Sequence, residues 1–205
     1  MTNGDGGAAP VAGDSVVGVA SDSAVEVVGD SASRAVLVVL RGNSASGKST
    51  TARTLQHSME RGSCVVVPQD VVRRQMTWEP DEPGRINVDL IEHIARFALA
   101  RGLVTIVEGI LDSRRYEAML ERLARSAPAS LFYGFDLTFE ETLVRHASRP
   151  LAAEVPESSL AEWYHGWQPL GFTTETRIDV SWDLTAITER IRGDIEKARA
   201  TRPSR

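Results

Sequence analysis

One stretch of the chain combines glycines, a lysine and hydroxyl residues at a spacing suited to binding phosphate. Gly42-Asn43-Ser44-Ala45-Ser46-Gly47-Lys48-Ser49 matches the pattern G-x-x-x-x-G-K-[ST] at every position. The glycines allow a tight turn and close approach of the backbone, so that successive amides can surround an anion. The lysine can reach the β- and γ-phosphates, and the hydroxyl of Ser49 can ligate Mg²⁺. We therefore predict that Gly42–Thr50 binds the phosphates of ATP together with Mg²⁺.

The rarity of lysine in this chain strengthens that interpretation. Lys48 and Lys197 are the only lysines, against 21 arginines. A glycine-rich loop matching the whole pattern by chance remains the alternative, but one of two lysines occupies the position where phosphate chemistry requires an ammonium group.

The residues around this loop predict the elements that position it. Ala35–Leu40 is a continuous apolar run, which is typical of a fully buried parallel strand. A helix is expected to begin near Lys48 and to end near Arg61, where Gly62 follows. A loop between a buried strand and a helix N-terminus is the context that phosphate binding requires.

The rest of the chain alternates apolar runs with helical patterns. Further strands are predicted at Cys64–Val67, Leu103–Val107, Leu131–Phe135 and Ile178–Val180. Between them the spacing predicts helices at about Asn87–Arg101, around Tyr116–Leu123, at Thr138–His146 with a Thr138/Glu141 capping box, after a Ser159/Glu162 capping box, and over Leu184–Ala198. This alternation predicts an α/β protein with a five-stranded, mostly parallel sheet flanked by helices.

Charge and cysteine content limit the classes of partner. Residues 1–34 carry −4 of the formal charge of −5, which leaves −1 for the rest of the chain. A near-neutral body gives no footprint for nucleic acid or anionic membranes. Cys64 is the only cysteine, so no disulfide can form within the chain, and we interpret it as a buried core residue. There is no apolar run of membrane-spanning length and no secretory signal pattern, so a cytoplasmic location is expected.

Acidic residues follow the second and third predicted strands, at Pro68-Gln69-Asp70 and Val107-Glu108-Gly109. Together with the phosphate loop, they resemble the P-loop small-molecule kinases, the group that includes gluconate kinase, chloramphenicol phosphotransferase and the zeta-toxin kinases. The resemblance covers roughly residues 35–200, and only the phosphate loop is highly specific. It implies a P-loop NTPase fold for a kinase domain over residues 34–205, with a small helical lid at about residues 145–170. The composition of residues 1–33, rich in Gly, Ala, Ser, Asp and Val, predicts a disordered tail before that domain.

The resemblance also implies roles for the acidic residues. Asp70 would orient the acceptor hydroxyl and take its proton late in phosphoryl transfer. The alternative is that Asp70 caps a helix and pairs with Arg73 or Arg74. Arg73 and Arg74 themselves are candidates for binding substrate, and the alternative for them is a solvated helix face. Glu108 would bind substrate or hold a water on Mg²⁺, unless it is only an exposed strand end.

The predicted lid supplies further candidates. Arg145 and Arg149 are four residues apart, and lid arginines of the resembling kinases close over the phosphates and neutralise transition-state charge. Trp163 and Trp167 are four residues apart and are expected to share a helical face, and we favour lid packing over stacking on a planar substrate. By analogy alone, Trp182 and Asp183 lie near adenine.

Trp78 and Asn87 are weaker substrate-binding candidates, because they flank the loop Pro80–Gly84 through which the resembling enzymes admit the acceptor.

These expectations favour an ATP-dependent kinase acting on a hydroxyl of a small molecule, such as an antibiotic, a nucleoside or a sugar-like metabolite. Two alternatives stay open: a toxin-type kinase of an activated amino sugar, and a non-catalytic nucleotide-binding regulator. The chain has no Asn-Lys-x-Asp guanine motif, no Walker B run with two acids and no His-Arg-Asp loop. A GTPase, a mechanical ATPase and a protein kinase are therefore disfavoured, while the acceptor and the oligomeric state stay open.

Deleting residues 1–33 is expected to leave the melting temperature and the activity nearly unchanged, because this segment lacks aromatic, leucine and isoleucine residues for a core. Thermal unfolding of the truncated and full chains tests this expectation. A drop of several degrees would mean that the segment folds onto the domain.

Overall fold

The computed structural model describes Met1, residues 32–147 and residues 157–201. Strands and helices alternate along these residues, as the apolar runs and helical patterns predict. In chain order the elements are β1 Val36–Gly42, α1 Lys48–His57, β2 Cys64–Pro68, α2 Gln69–Val71, a π-helix Val72–Met76, α3 Asn87–Leu99, β3 Val104–Gly109, α4 Ser113–Ser126, β4 Ala129–Phe135, α5 Phe139–Ala147, α6 Glu157–Trp163, β5 Thr176–Ile178 and α7 Leu184–Ala200.

The five strands form one sheet in the order β2-β3-β1-β4-β5, and every neighbouring pair is parallel. The prediction of a five-stranded, mostly parallel sheet is confirmed, and the sheet is in fact parallel throughout. β1 is the central strand, with β3 on one side and β4 on the other. The loop after β1 therefore leaves the middle of the carboxyl edge, which is where open α/β sheets bind ligands.

The core lies on both faces of the sheet because alternate residues of β1 point to opposite sides. Leu37 and Val39 belong to a cluster with residues of α3 and α4. Val38 and Leu40 belong to a second cluster with residues of α1 and α7. All four side chains are fully buried, which explains why β1 reads as an uninterrupted apolar run.

Gly42 ends β1 where no other residue would fit. Its φ is +142°, and a Cβ added there would lie 2.4 Å from the carbonyl oxygen of Phe135 on β4. The glycine thus allows the two strands to stay close while the chain turns into the phosphate loop.

Several element boundaries differ from prediction. α1 ends at His57 and not near Arg61, because the Ser58 amide closes the last turn and Gly62 follows in a separate turn with φ of +85°. α3 ends at Leu99, before the predicted Arg101, and β5 occupies Thr176–Ile178 in place of 178–180.

The two predicted capping boxes have opposite outcomes. The Thr138 amide donates to Glu141 Oε2 at 2.8 Å, and the Glu141 amide donates to Thr138 Oγ1 at 3.2 Å, so the first box is confirmed. The second is wrong, because α6 already begins at Glu157 and Ser159 lies inside the helix.

Some expectations fall on residues that the structure does not describe. The predicted tail at residues 1–33 lies largely outside the described residues, and so does Arg149. Within residues 32–147 and 157–201, no helix has the length and apolar character needed to cross a membrane.

Cys64 is expected to react slowly with thiol reagents in the folded chain. Burial raises the pKa of its thiol from 9.0 to about 11, so the thiolate fraction at pH 8 falls about 100-fold. The raised pKa also contributes stability that is present below pH 9 and lost as pH rises toward 11. Reaction with a chromogenic disulfide reagent, with and without denaturant, measures the difference; equal rates would contradict the burial of Cys64.

Candidate phosphate-binding site

The phosphate loop is shaped by left-handed backbone at two positions. Ala45 has φ of +62° and Gly47 has φ of +106°, and Gly47 is the N-cap of α1. Alternation of this kind turns successive amides toward one concave side, which forms an anion-binding nest at the positive end of a helix. The geometry fits the prediction made for Gly42–Thr50.

Lys48 is held over the loop by the loop itself. Its side chain is buried, and Nζ donates to the Asn43 carbonyl oxygen at 2.7 Å and to Ser46 Oγ at 3.1 Å. A buried ammonium group that is anchored at a helix N-terminus adds fixed positive charge to the anion nest. The positive charge of Lys48 therefore makes the loop favourable for an anionic ligand such as phosphate.

Glu108 lies beside the loop because β3 pairs with β1, where Leu40 is opposite Glu108. The Ser49 hydroxyl donates to Glu108 Oε2 at 3.0 Å. The carboxylate is buried, and burial raises its pKa, although Lys48 and the Ser49 hydrogen bond act in the opposite direction. Glu108 is thus a buried acid facing the phosphate loop, unlike the exposed strand end that was the alternative.

Ser49 and Glu108 together fit a magnesium ion. Both offer hard oxygen donors, and Mg²⁺ prefers one or two such protein ligands completed by water and substrate phosphates. No group of three histidine, cysteine or acidic side chains that could hold a metal occurs within the described residues. The donor set therefore suits a metal that is bound with a nucleotide.

Asp70 follows β2 on the same edge of the sheet. Its carboxylate pairs with Arg73 at 3.2 Å and with Arg74 at 3.3 Å, and its side chain is 64% exposed. The ion pairs of the alternative interpretation are thus present, but the N-cap of α2 is Pro68 and not Asp70. An exposed carboxylate in this position is available to a substrate hydroxyl.

Two cavities are lined by the phosphate-loop residues Ala45–Gly47, and a third adjoins one of them. The phosphate cleft, of about 280 Å³, is lined by Lys48, Ser49, Asp70 and Glu108 among others. The Trp78 cavity, of about 690 Å³, has a different lining. It comprises Arg73, Arg74, Trp78, Glu79, Pro80, Asp81, Ile110 and Trp163. Arg74, Ile110 and Trp163 line both cavities, so the two adjoin beside Asp70.

The Trp182 cavity, of about 310 Å³, also adjoins the phosphate loop. It is lined by Ala45–Gly47 together with Arg145, Trp182 and Asp183. The same loop residues line the phosphate cleft, so one extended ligand could occupy both spaces. Arg145, on α5, donates from Nη1 to the Ser46 carbonyl oxygen at 2.7 Å.

Asn43 ties the phosphate loop to the chain after α6. Its Nδ2 donates to the Gly166 carbonyl oxygen at 3.2 Å, and its Oδ1 accepts from the His165 amide at 2.9 Å. The predicted lid segment is therefore bonded to the loop at two neighbouring residues.

The prediction that Trp163 and Trp167 share a helical face is wrong, because α6 ends at Trp163. Trp163 lies under the Arg74 guanidinium, 5.1 Å from the ring centroid. The Trp167 ring packs on Gly134, where an added Cβ would be only 2.4 Å away. Trp167 thus has the packing role that we favoured, while Trp163 also faces a cavity.

Asn87 has a position that differs from the prediction. Its side chain is buried, donates to Glu79 at 3.1 Å and accepts from the Tyr116 hydroxyl at 3.0 Å. It does not belong to the lining of the three cavities. Through its bond to Glu79, Asn87 supports the loop that carries Trp78.

A buried polar network that the sequence did not suggest begins at Gln69, the residue before Asp70. Gln69 accepts from the Leu111 amide at 3.1 Å and donates to the Tyr116 hydroxyl at 2.9 Å. The Tyr116 hydroxyl also lies 3.3 Å from Asp81, which Arg115 holds. This network joins the β2–α2 junction to the loop around the Trp78 cavity. The available signal was a tyrosine in the apolar stripe of α4.

A second feature missed from sequence is the buried ion pair of Arg41 and Glu175, at 2.8 Å. Arg41 immediately precedes Gly42 and also donates to the carbonyl oxygens of Gln168 and Leu111. A charged residue inside an otherwise apolar strand was the signal, but its partner is more than 130 residues away.

Comparison with known proteins gives the family. A model described as an AAA domain matches residues 37–193, which is most of the chain. The chain belongs to this family of P-loop domains, as the resemblance noted from its residues predicts. No curated protein matches the chain.

Solved kinase structures share the fold. The APS kinase of Mycobacterium tuberculosis, solved with AMPPNP and APS, has a TM-score of 0.60 at 18% identity, covering 80% of this chain and 98% of that one. A gluconokinase from Sinorhizobium meliloti 1021 has a TM-score of 0.56 at 17% identity, covering 80% and 93%. A sugar kinase from Janibacter sp. HTCC2649 has a TM-score of 0.56 at 18% identity, covering 81% and 98%.

Replacing Tyr116 with Phe is expected to destabilise the chain by about 1–3 kcal/mol, because buried partners on Gln69 and Asn87 lose their hydrogen bond. Urea unfolding measures the change. Tyr133→Phe is the matched control, since its partner Asp194 keeps an ion pair with Arg190. Equal losses of unfolding free energy in the two variants would contradict a larger contribution of the Tyr116 network to stability.

Proposed function

We propose that this chain is an ATP-dependent phosphotransferase that phosphorylates a hydroxyl group of a small molecule. One observation carries the proposal: Lys48, Ser49, Glu108 and Asp70 line a single cleft that adjoins a larger cavity beside Asp70. Phosphoryl transfer depends mainly on positioning and on stabilising charge, and the cleft offers groups for both.

ATP would lie across the phosphate loop. Its terminal phosphates would occupy the nest and contact Lys48, and its base would lie in the Trp182 cavity beside Trp182. The loop residues Ala45–Gly47 line both spaces, which supports this orientation. Asp183 caps α7 by accepting from the Ala186 amide at 2.7 Å, so we assign it a structural role at the edge of that cavity.

Ser49 and Glu108 would hold Mg²⁺, directly or through a water. The ion supplies neutralising charge to the β- and γ-phosphate oxygens when it is bound. Glu108 would keep the ion in place beside Lys48 and would not form a covalent bond to the transferred phosphoryl group.

In the reaction, the acceptor oxygen forms a bond to the γ-phosphorus while the bond to the β–γ bridging oxygen breaks. The electron pair of the broken bond leaves with ADP, and the acceptor proton passes to the Asp70 carboxylate. Arg73 and Arg74 hold that carboxylate at 3.2 and 3.3 Å, so they orient it toward the cleft. Arg145 approaches the opposite side of the loop and would neutralise charge that develops on the phosphate oxygens, as would Arg149.

The Trp78 cavity is the acceptor site in this proposal. Its volume of about 690 Å³ suits a small molecule. The gluconokinase and the sugar kinase of the same fold are named for small hydroxylated substrates. An antibiotic, a nucleoside and an activated amino sugar would all fit by size, so an acceptor screen should contain all three. Mass spectrometry would identify the product by the gain of about 80 Da, one phosphoryl group.

Replacing Lys48 with Ala is expected to lower kcat about 100-fold or more, because it removes a fixed charge from the developing phosphate oxygens. Steady-state kinetics with the acceptor found in the screen measures this. Lys197→Ala is the matched control, since it removes the only other lysine, whose side chain is 81% exposed on α7. Full activity of the Lys48 variant would contradict the mechanism.

Replacing Asp70 with Asn separates an enzyme from a regulator that only binds nucleotide. The enzyme is expected to keep its affinity for ATP and to lose turnover by about 100-fold, within the range of general-base catalysis. Calorimetry gives the affinity and product formation gives the turnover. Tight ATP binding with every measured activity unchanged in this variant would favour the regulator.

A further inference from the structure

Trp78 is a large apolar residue that is mostly exposed to solvent. Its side chain is 87% exposed, the largest value for a large hydrophobic residue within residues 32–147 and 157–201. A single exposed apolar side chain needs no special explanation. Trp78, however, combines this exposure with an unusual backbone and a place on a cavity wall.

The backbone of Trp78 is held in a conformation that bulky residues rarely adopt. Its φ is +54°, in the left-handed region that favours glycine. Strain of this kind persists only where the surrounding structure enforces it, and it is concentrated at functional sites. The chain therefore holds the backbone at Trp78 in one particular conformation.

Hydrogen bonds of the residues on both sides of Trp78 enforce that backbone conformation. The Thr77 amide donates to the Val72 carbonyl oxygen at 2.9 Å, closing the wide turn of the π-helix. The Glu79 amide donates to the Arg73 carbonyl oxygen at 2.9 Å, and Arg73 Nη1 donates back to the Glu79 carbonyl oxygen at 3.2 Å. π-helical turns are frequent at functional sites, and here one presents an aromatic ring on a rigid base.

The cavity beside this ring has other apolar walls. Trp163, Pro80 and Ile110 line it, and the Arg74 guanidinium lies over the Trp163 ring at 5.1 Å. Flat aromatic and guanidinium surfaces bind planar rings by stacking.

The charged groups of the cavity are already engaged by the protein. Glu79 accepts from the amide and side chain of Asn87, Asp81 is held by Arg115, and Arg73 and Arg74 both pair with Asp70 of the adjoining phosphate cleft. The acids of this lining are thus held by protein groups. Its surfaces at Trp78, Trp163, Pro80 and Ile110 favour a flat, uncharged ring.

We propose that Trp78 is a specificity-determining residue and that the acceptor is an alcohol attached to an aromatic or heteroaromatic ring. The ring stacks on Trp78, and the alcohol points past Arg74 and Trp163 toward Asp70, because those two residues line both the Trp78 cavity and the phosphate cleft. The inference rests on the proposed function and adds the chemical class of its substrate.

Binding to the full chain tests the inference directly. Calorimetry with the chain alone and with saturating ADP compares two aromatic alcohols, adenosine and coniferyl alcohol, with the polyols gluconate and glucosamine. We expect the aromatic alcohols to bind, Trp78→Ala to weaken them about tenfold, as for loss of a base-stacking side chain, and Trp78→Phe to retain them. Phe97→Ala is the matched control, because Phe97 is a similarly exposed aromatic that does not line the cavities.

Kinetics with any phosphorylated acceptor give a second readout. Trp78→Ala is expected to raise KM about tenfold with kcat nearly unchanged, since stacking acts on binding and not on the transferred group. Preferential binding of the polyols, no binding of either aromatic alcohol, or an unchanged affinity in Trp78→Ala would overturn the inference. The proposed function fails separately, if no acceptor of any class gains a phosphoryl group although ATP binds.

Discussion

The parallel pairing of β1 with β3 and β4 is the constraint on which the candidate site depends. Pairing with β3 puts Leu40 opposite Glu108, so an acidic side chain reaches Ser49 across one strand spacing. Pairing with β4 brings Phe135 against Gly42, so that only a glycine can begin the phosphate loop. The pairing of one strand with two parallel neighbours thus determines where the phosphate loop begins, why Gly42 is required there and why Glu108 lies beside the loop.

Buried charge around the loop has a cost that the fold offsets by pairing. Arg41 and Glu175 are both almost fully buried, and each is bonded to backbone groups as well as to the other. A buried pair of this kind contributes little net stability, but removal of one partner leaves an uncompensated charge. Its position directly before Gly42 suits a role in fixing where the loop begins.

Much of the fold could be predicted from sequence because its signals are local. The apolar run of β1, the phosphate-loop pattern and the Thr138 capping box depend on residues within a few positions of each other. A local pattern can also mislead. Ser159 and Glu162 have the spacing of a capping box, yet the helix starts earlier.

The candidate site divides along the same line. Lys48 and Ser49 were predictable because the phosphate-loop pattern is local. Glu108 was predictable because it directly follows a buried strand and resembles the acidic strand end of the P-loop kinases. The position of Asn87 and the network around Tyr116 were not, because their partners come from separate loops and helices. Trp78 was only a weak candidate, since neither its left-handed backbone nor its exposure can be deduced from residue type.

The two hydrogen bonds of the Asn43 amide link parts of the molecule that would serve different ligands. Asn43 belongs to the phosphate loop, while His165 and Gly166 follow closely after Trp163, a wall of the other cavity. A shift of the loop must either carry that wall along or break both bonds. We therefore expect this one side chain to couple the position of the phosphate loop to that of the segment after α6.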